Sequence, residues 1–320
     1  MIDGCGREID HLRLSLTDHC NLACRYCVPT GVQPRGRMID AHFAFEIVRW
    51  LSHGHGIRHL RLTGGEPLLY PELLPLIERL SRLDSLYQIT LTTNAQALEH
   101  EAAALRDAGL SRVNISLDTL EPGRFAYLTR GGDLSRTLSG IESAVEAGLA
   151  PVKINVLAQR RVNAEELADL AEWGLSRGCV VRFLEVMPIG PLAHVANEHL
   201  VPATEILERL AERFELRPLP QSLGQPTLDY AAIGRGLRGV IGVIAPTTRP
   251  FCSRCRRLRV TARGLIVACV HDDNHLDLSR CWDGRVLDAR GADAVLRSAV
   301  NGKPAVGSPA QSLTMLSLGG

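Results

Sequence analysis

Neither sign of charge is in excess: 36 Lys and Arg stand against 35 Asp and Glu, a formal net charge of +1. Such a balance lacks the overall electrostatic footprint of a nucleic-acid-binding protein and leaves only local basic patches to consider. Long apolar runs are missing too. No window reaches the roughly 18 uninterrupted apolar residues of a membrane span. The opening MIDGCGREID lacks the basic-then-apolar order of an export signal. A cytoplasmic protein without membrane or nucleic-acid partners is therefore expected. Low-complexity tracts are absent, and so is an even set of cysteines. Nine cysteines in a long chain without an export signal argue against a disulfide framework.

Six of the nine fall into two groups of three. Cys20, Cys24 and Cys27 are spaced C-x₃-C-x₂-C, and Cys252, Cys255 and Cys269 are spaced C-x₂-C-x₁₃-C. In a reducing compartment such groups point to metal. No fourth cysteine follows at the spacing of a zinc ribbon, although His19 and His271 are near enough in sequence to complete a zinc site. Cys5, Cys179 and Cys281 stand alone and read as small buried apolar residues.

Short strand patterns alternate with helical ones. The strands begin at His11, Arg58, Tyr87, Arg112, Pro151 and Val180; between and after them run helical patterns over 41–53, 71–83, 97–109, 134–148, 164–178 and 203–216. Gly109, Gly148 and Gly178 stand where helix C-caps belong. This order predicts a parallel α/β sheet with six βα units, fewer than a closed eightfold barrel needs, which leaves an open partial barrel or a doubly wound sheet. Beyond Ala203 the alternation lapses, and the Pro- and Gly-rich stretch 218–239 reads as linker or irregular loop.

Strands buried on both faces should be almost continuously apolar. These are not. Arg13, Ser15 and Thr17 alternate with leucines, as do Arg61 and Thr63. Thr90 and Thr92, Asn114, Ser116 and Asp118, Lys153 and Asn155, and Arg182 continue the pattern. Period two places each polar set on one face, so a polar, cationic lumen that holds an anionic ligand is expected. Arg257 and Arg259, alternating with Leu258 and Val260, can point the same way.

TDHCNLACRYC directly after the first strand, with LTGGEP (62–67) ending the second, resembles the radical S-adenosylmethionine (SAM) superfamily. The resemblance implies a partial (β/α)₆ barrel in which three thiolates leave one iron of a [4Fe–4S] cluster open for SAM. LRLSLTDHCNLACRYC, LRLTGGEP, LTTNA, VNISLD, VKINV, VRFLEVMP and FCSRCRRLR occur in order, and the chain ends Gly319-Gly320. Together, from about Gly6 to Gly320, they resemble the MoaA family, the GTP 3′,8-cyclases that open molybdenum-cofactor biosynthesis.

That resemblance implies two domains, a barrel over 1–215 and a C-terminal extension over 216–320, irregular in structure and carrying a second [4Fe–4S] cluster. Cys20, Cys24 and Cys27 would hold the first cluster, and Cys252, Cys255 and Cys269 the second. Tyr26, Gly65, Glu66, Ser116 and Met187 would bind SAM. Arg13, Arg61, Thr92, Lys153 and the segment Arg257, Leu258, Arg259 would bind GTP, with Arg257, Arg259 and the Gly319-Gly320 tail serving catalysis. A homodimer, an electron donor and a downstream cyclic pyranopterin monophosphate synthase are the implied partners. His19 and His59 depart from the family, which commonly has Arg and Lys there, and VHDDNHLDLSRC after Cys269 is unusually acidic. Another two-cluster radical SAM enzyme and a non-enzymatic zinc protein are the alternatives.

Overall fold

Apolar residues of the strands face outward onto helices, and the polar ones face one another across a lumen. The computed structural model describes residues 1–32, 36–221 and 224–307. The six expected strands are β1 (His11–Ser15), β2 (His59–Thr63), β3 (Gln88–Thr93), β4 (Arg112–Ser116), β5 (Lys153–Ala158) and β6 (Val180–Glu185). Each pairs in parallel with the next. The covering helices include Ala41–His55, Leu73–Ser81, Ala102–Asp107, Leu134–Glu146 and Leu167–Ser176. The first starts where the Asp40 carboxylate accepts from Phe43 N at 2.8 Å, an N-cap. It stops at Gly56, whose φ of 75° suits the left-handed cap. Its buried stripe, Phe43, Ala44, Ile47, Val48 and Leu51, lies in one core with Leu12, Leu14, Leu60 and Leu62. Each fully buried Leu, Ile, Val or Phe among them contributes about 1.5–3 kcal/mol.

The C-terminal region is more regular than its composition suggested. It supplies β7 (Glu215–Pro218), β8 (Thr227–Gly234), β9 (Leu237–Ile244), β10 (Arg257–Val260), β11 (Leu265–Val267) and β12 (His275–Asp277). The stretch read as linker thus holds most of a hairpin, β8–β9. Its turn is Arg235-Gly236, with φ values of 50° and 75°, the double positive φ of a type I′ turn. All twelve strands form one sheet, ordered β12-β11-β10-β1-β2-β3-β4-β5-β6-β9-β8-β7. β10 joins β1 in parallel and β9 joins β6 in parallel, so the six-stranded partial barrel is widened on both sides. The sheet stays open, since β7 and β12 are its two ends.

Cys179 is buried as expected, whereas Cys5 is exposed and Cys281 half-buried. Among the described residues no helix is long and apolar enough to cross a membrane.

Candidate functional site: a cationic lumen between two cysteine triads

Cys20, Cys24 and Cys27 follow β1 and so lie at the C-terminal edge of the parallel strands. Backbone contacts fix their loop. Gly65 N donates to Thr17 O at 2.6 Å and Glu66 N to His19 O at 2.8 Å. A Cβ on Gly65 would lie 2.2 Å from the His19 carbonyl oxygen. Glycine is therefore required here by the cysteine loop itself, which presses against the GGEP turn.

The Glu66 side chain is equally committed. It is buried and accepts from Thr93 Oγ1 (2.7 Å), Asn94 N (2.8 Å) and Leu68 N (3.1 Å). Burial still pushes its carboxyl up to about 7. Asn94 extends the brace, reaching Asn21 Oδ1 at 2.8 Å and Cys20 Sγ at 3.8 Å. Glu66 thus ties the ends of β2 and β3 to the first cysteine. A small cavity beside the loop is lined by Cys24, Tyr26, Asn94, Ser116 and Asp118. Here Tyr26 donates to Asp118, whose carboxyl burial raises to about 6. Tyr26 and Ser116 therefore meet the first triad. Met187 lies half-buried beyond the end of β6 and is not in that lining.

The second triad occupies the opposite edge. Cys252 and Cys255 precede β10, which runs parallel to β1, and Cys269 follows the antiparallel β11. A five-residue strand rises roughly 16 Å, so the lumen separates the triads by at least that order. Arg7, paired with Asp3 at 2.6 Å, secures this edge by donating to Cys252 O at 2.8 Å and to Pro304 O at 2.9 Å. Lys303 is buried and donates to Arg257 O. The two triads differ in charge environment. Burial raises the Cys20 thiol to about 11 and Cys24 further. Burial also acts to raise Cys255, but Arg257 and Lys303 outweigh it and bring the thiol down to about 6.

Neither triad has the geometry of a single zinc ion. Tetrahedral Zn–S bonds of about 2.3 Å hold sulphurs about 3.8 Å apart. Among the described residues, the only three ligand atoms within 4.8 Å of one another belong to Asp10, His11 and His59. Asp10 is already paired with Arg256 and His11. Thiols spread more widely, yet near enough for their charges to interact, suit a polynuclear centre whose sulphurs bind different irons.

Between the triads lie the cations. Arg259, Arg13, Arg61, Thr90 and Arg112 are consecutive partners across β10, β1, β2, β3 and β4. Lys153 and Arg182 continue the polar face on β5 and β6 and are each 9% exposed. Among the described residues no salt bridge engages Arg61, Arg112, Lys153, Arg182, Arg257 or Arg259, although surface arginines such as Arg209 and Arg213 are paired. Buried atoms without a hydrogen-bond partner gather here too: Thr92 Oγ1, Arg112 Nε, Arg182 Nε and Arg259 Nη1. Burial, then the neighbouring Arg182, Arg112, Arg257 and Arg259, drive Arg61 down to about 9. Burial with Arg182 and Arg112 takes Lys153 down to about 7. The arginines stay charged at neutral pH, so the lumen holds repulsion that a bound anion would relieve. Leu258 is different: it is 1% exposed within the apolar core, so any contribution it makes to the lumen comes from its backbone.

Residues 14–174 match the family model of the radical SAM superfamily, and residues 179–308 match the model Molybdenum Cofactor Synthesis C. The chain is 41% identical over 283 residues to the GTP 3′,8-cyclase of Moorella thermoacetica, covering 87% of this chain and 86% of that one. It is 36% identical over 327 residues to GTP 3′,8-cyclase 1 of Pseudomonas aeruginosa, covering 100% and 98%. This chain belongs to the GTP 3′,8-cyclase family. Its fold is also that of Streptococcus suis SuiB bound to the precursor peptide SuiA, with a TM-score of 0.65 at 14% identity over 91% of this chain and 67% of that one. As a member of the GTP 3′,8-cyclase family the chain is a radical SAM enzyme, with SAM and a [4Fe–4S] cluster as cofactors.

Sequence reading overlooked three residues of this site. Arg112 begins β4 on the same polar face as Asn114, so period two contained the signal. Asp229 and Lys303 gave none, since they reach the site only through strand pairing and chain packing far from their sequence neighbours. The Gly319-Gly320 tail lies outside the described residues.

Proposed function

We propose that the lumen is the GTP site of a GTP 3′,8-cyclase, lying between two [4Fe–4S] clusters. The observation that carries this reading is the row of cations between two cysteine triads that do not fit zinc, a row in which, among the described residues, no salt bridge engages Arg61, Arg112, Lys153, Arg182 or Arg259. Cys20, Cys24 and Cys27 would hold one cluster and Cys252, Cys255 and Cys269 the other. When bound, the clusters and SAM supply the radical chemistry that removes the ribose 3′ hydrogen of GTP and lets that carbon close on guanine C8.

The chain's own contribution is placement. Tyr26, Ser116 and the GGEP turn, with Gly65 and Glu66 as its frame, shape the SAM side, and Met187 borders it. Arg13, Arg61, Thr92, Lys153, Arg257, Arg259 and the Leu258 backbone, joined by Arg112 and Arg182, bind and orient the triphosphate. Arg257 and Arg259, with the Gly319-Gly320 tail, serve the reacting end. Residues 1–215 act as the SAM domain and 216–320 as the substrate-closing domain. The enzyme works as a cytoplasmic homodimer, takes electrons from a separate donor, and passes its product to cyclic pyranopterin monophosphate synthase.

Anaerobic iron and sulphide analysis, then assay with SAM, dithionite and GTP, tests this. About eight irons per chain and GTP-dependent 5′-deoxyadenosine are expected. Stoichiometric zinc without SAM cleavage would contradict it.

Lys153 adds a pH signature. Its proton is held to about 7 in the free protein against 10.5 ordinarily, so between those values the unfolded chain binds more protons and stability rises with pH. A triphosphate reverses the local field and draws the proton back. GTP affinity should therefore fall as pH rises above 7, by up to tenfold per unit, in anaerobic titrations from pH 6.5 to 9. Lys153→Met should flatten that slope. An unchanged slope in the variant would place the titrating group elsewhere.

A further inference from the structure

Two buried lumen oxygens, Asn114 Oδ1 and Asp229 Oδ1, are acceptors that phosphates cannot satisfy, and Asp229 is the charged one. Asp229 lies on β8, and its position follows from three strands in register: Arg182 on β6 is opposite Gly242 on β9, which is opposite Asp229. Gly242 makes the meeting possible. A Cβ there would lie 2.8 Å from Asp229 Oδ1 and 3.2 Å from Arg182 Cγ. The missing side chain opens a window through which the carboxylate reaches Arg182 and Lys153, the two cations whose charge acts on it.

Asp229 Oδ1 is buried and accepts no hydrogen bond. The other unpartnered atoms include Arg112 Nε, Arg182 Nε and Arg259 Nη1, all donors that an anion would satisfy. A carboxylate oxygen needs the opposite, an N–H or O–H, which a fully ionised triphosphate lacks. The charge is also unevenly spread. Asp229 offsets the Lys153–Arg182 side, leaving the side of Arg13, Arg61 and Arg259 the more positive.

We propose that Asp229 is a specificity-determining residue of the substrate site. It accepts a hydrogen bond from the nucleoside part of the substrate, a ribose hydroxyl or a guanine N–H, and keeps phosphate oxygens from its own position, so that Lys153 and Arg182 meet the triphosphate only on their faces turned away from it. The nucleotide is thereby admitted in one direction, by an attractive contact and a repulsive one together. This rests on the lumen being a nucleotide site.

The test is anaerobic calorimetric titration of cluster-loaded wild type, Asp229→Ala and Asp229→Asn with GTP, 2′-deoxy-GTP, 3′-deoxy-GTP, ITP and inorganic tripolyphosphate. Asp229→Ala should raise the Kd for GTP about tenfold or more. Asp229→Asn, which keeps an acceptor, should recover part of that. The analogue lacking the donated hydrogen should bind wild type weakly and lose nothing further in Asp229→Ala, which separates ribose from base as the donor. Tripolyphosphate should bind Asp229→Ala more tightly than wild type whether or not the lumen takes a nucleoside. Wild type failing to bind GTP at all would count against the nucleotide site, and the tripolyphosphate comparison still reads Asp229. Equal weakening of every ligand, or tighter GTP binding in Asp229→Ala, overturns the proposal. Unchanged iron content and a single cooperative thermal transition confirm that the variants are folded.

Discussion

Cys24→Ala should abolish SAM cleavage and lower the iron content from about eight to about four per chain, the share of one cubane. Cys24 lines the cavity that also contains Tyr26 and Ser116, so its loss removes a ligand where SAM would lie. Cys255→Ala should lose the same amount of iron yet keep basal SAM cleavage, because its triad is at the other edge of the strands, roughly a full strand length away. GTP-dependent turnover should disappear in both. Cys179→Ala is the control: that thiol is buried in the apolar core, and iron should stay at the wild-type level. Iron analysis with 5′-deoxyadenosine quantitation distinguishes the three. Full iron retention in Cys24→Ala would remove the first triad from cluster binding.

Arg61→Met should change binding and stability in opposite directions. Arg61 is pushed down by burial and by Arg182, Arg112, Arg257 and Arg259, and no salt bridge among the described residues compensates it. Replacing it with an unbranched neutral side chain removes that repulsion. The nucleotide-free protein should gain on the order of 1 kcal/mol, a rise of roughly 2 °C in thermal midpoint. GTP binding should weaken about 100-fold or more, as when one partner of a buried charge pair is removed. Thermal scans with and without GTP read both effects. A lower midpoint in the nucleotide-free variant would mean that Arg61 is already neutralised in the free protein. The trade is the usual one at a binding site, where groups placed for a ligand strain the empty fold.

Much of this was legible in the sequence, for a physical reason: it was local. Alternation along a single strand identified Arg13, Arg61, Lys153 and Arg182 as one face, and close spacing identified both cysteine triads. What was not legible depends on pairing. Nothing in RLRV reveals that β10 lies beside β1, because a parallel partner can come from anywhere in the chain. The β8–β9 hairpin was hidden by its surroundings, since Pro and Gly before it suggested loop, while Arg235 carries a positive φ that arginine rarely shows. Asp229 was invisible along with the hairpin. For Gly65 and Glu66 the resemblance implied contacts to SAM, and the structure shows a different duty, bracing the cysteine loop.

The pairing of β10 with β1 also bears on how the protein is made. β1 leaves the ribosome long before its partner at residues 257–260. Until then the nascent chain carries β1 as an uncovered parallel edge, open to wrong partners. Parallel pairings so distant in sequence form slowly. The cation row, too, lacks Arg257 and Arg259 throughout that interval. A cell making this enzyme must therefore shelter an almost complete barrel that cannot yet hold its substrate.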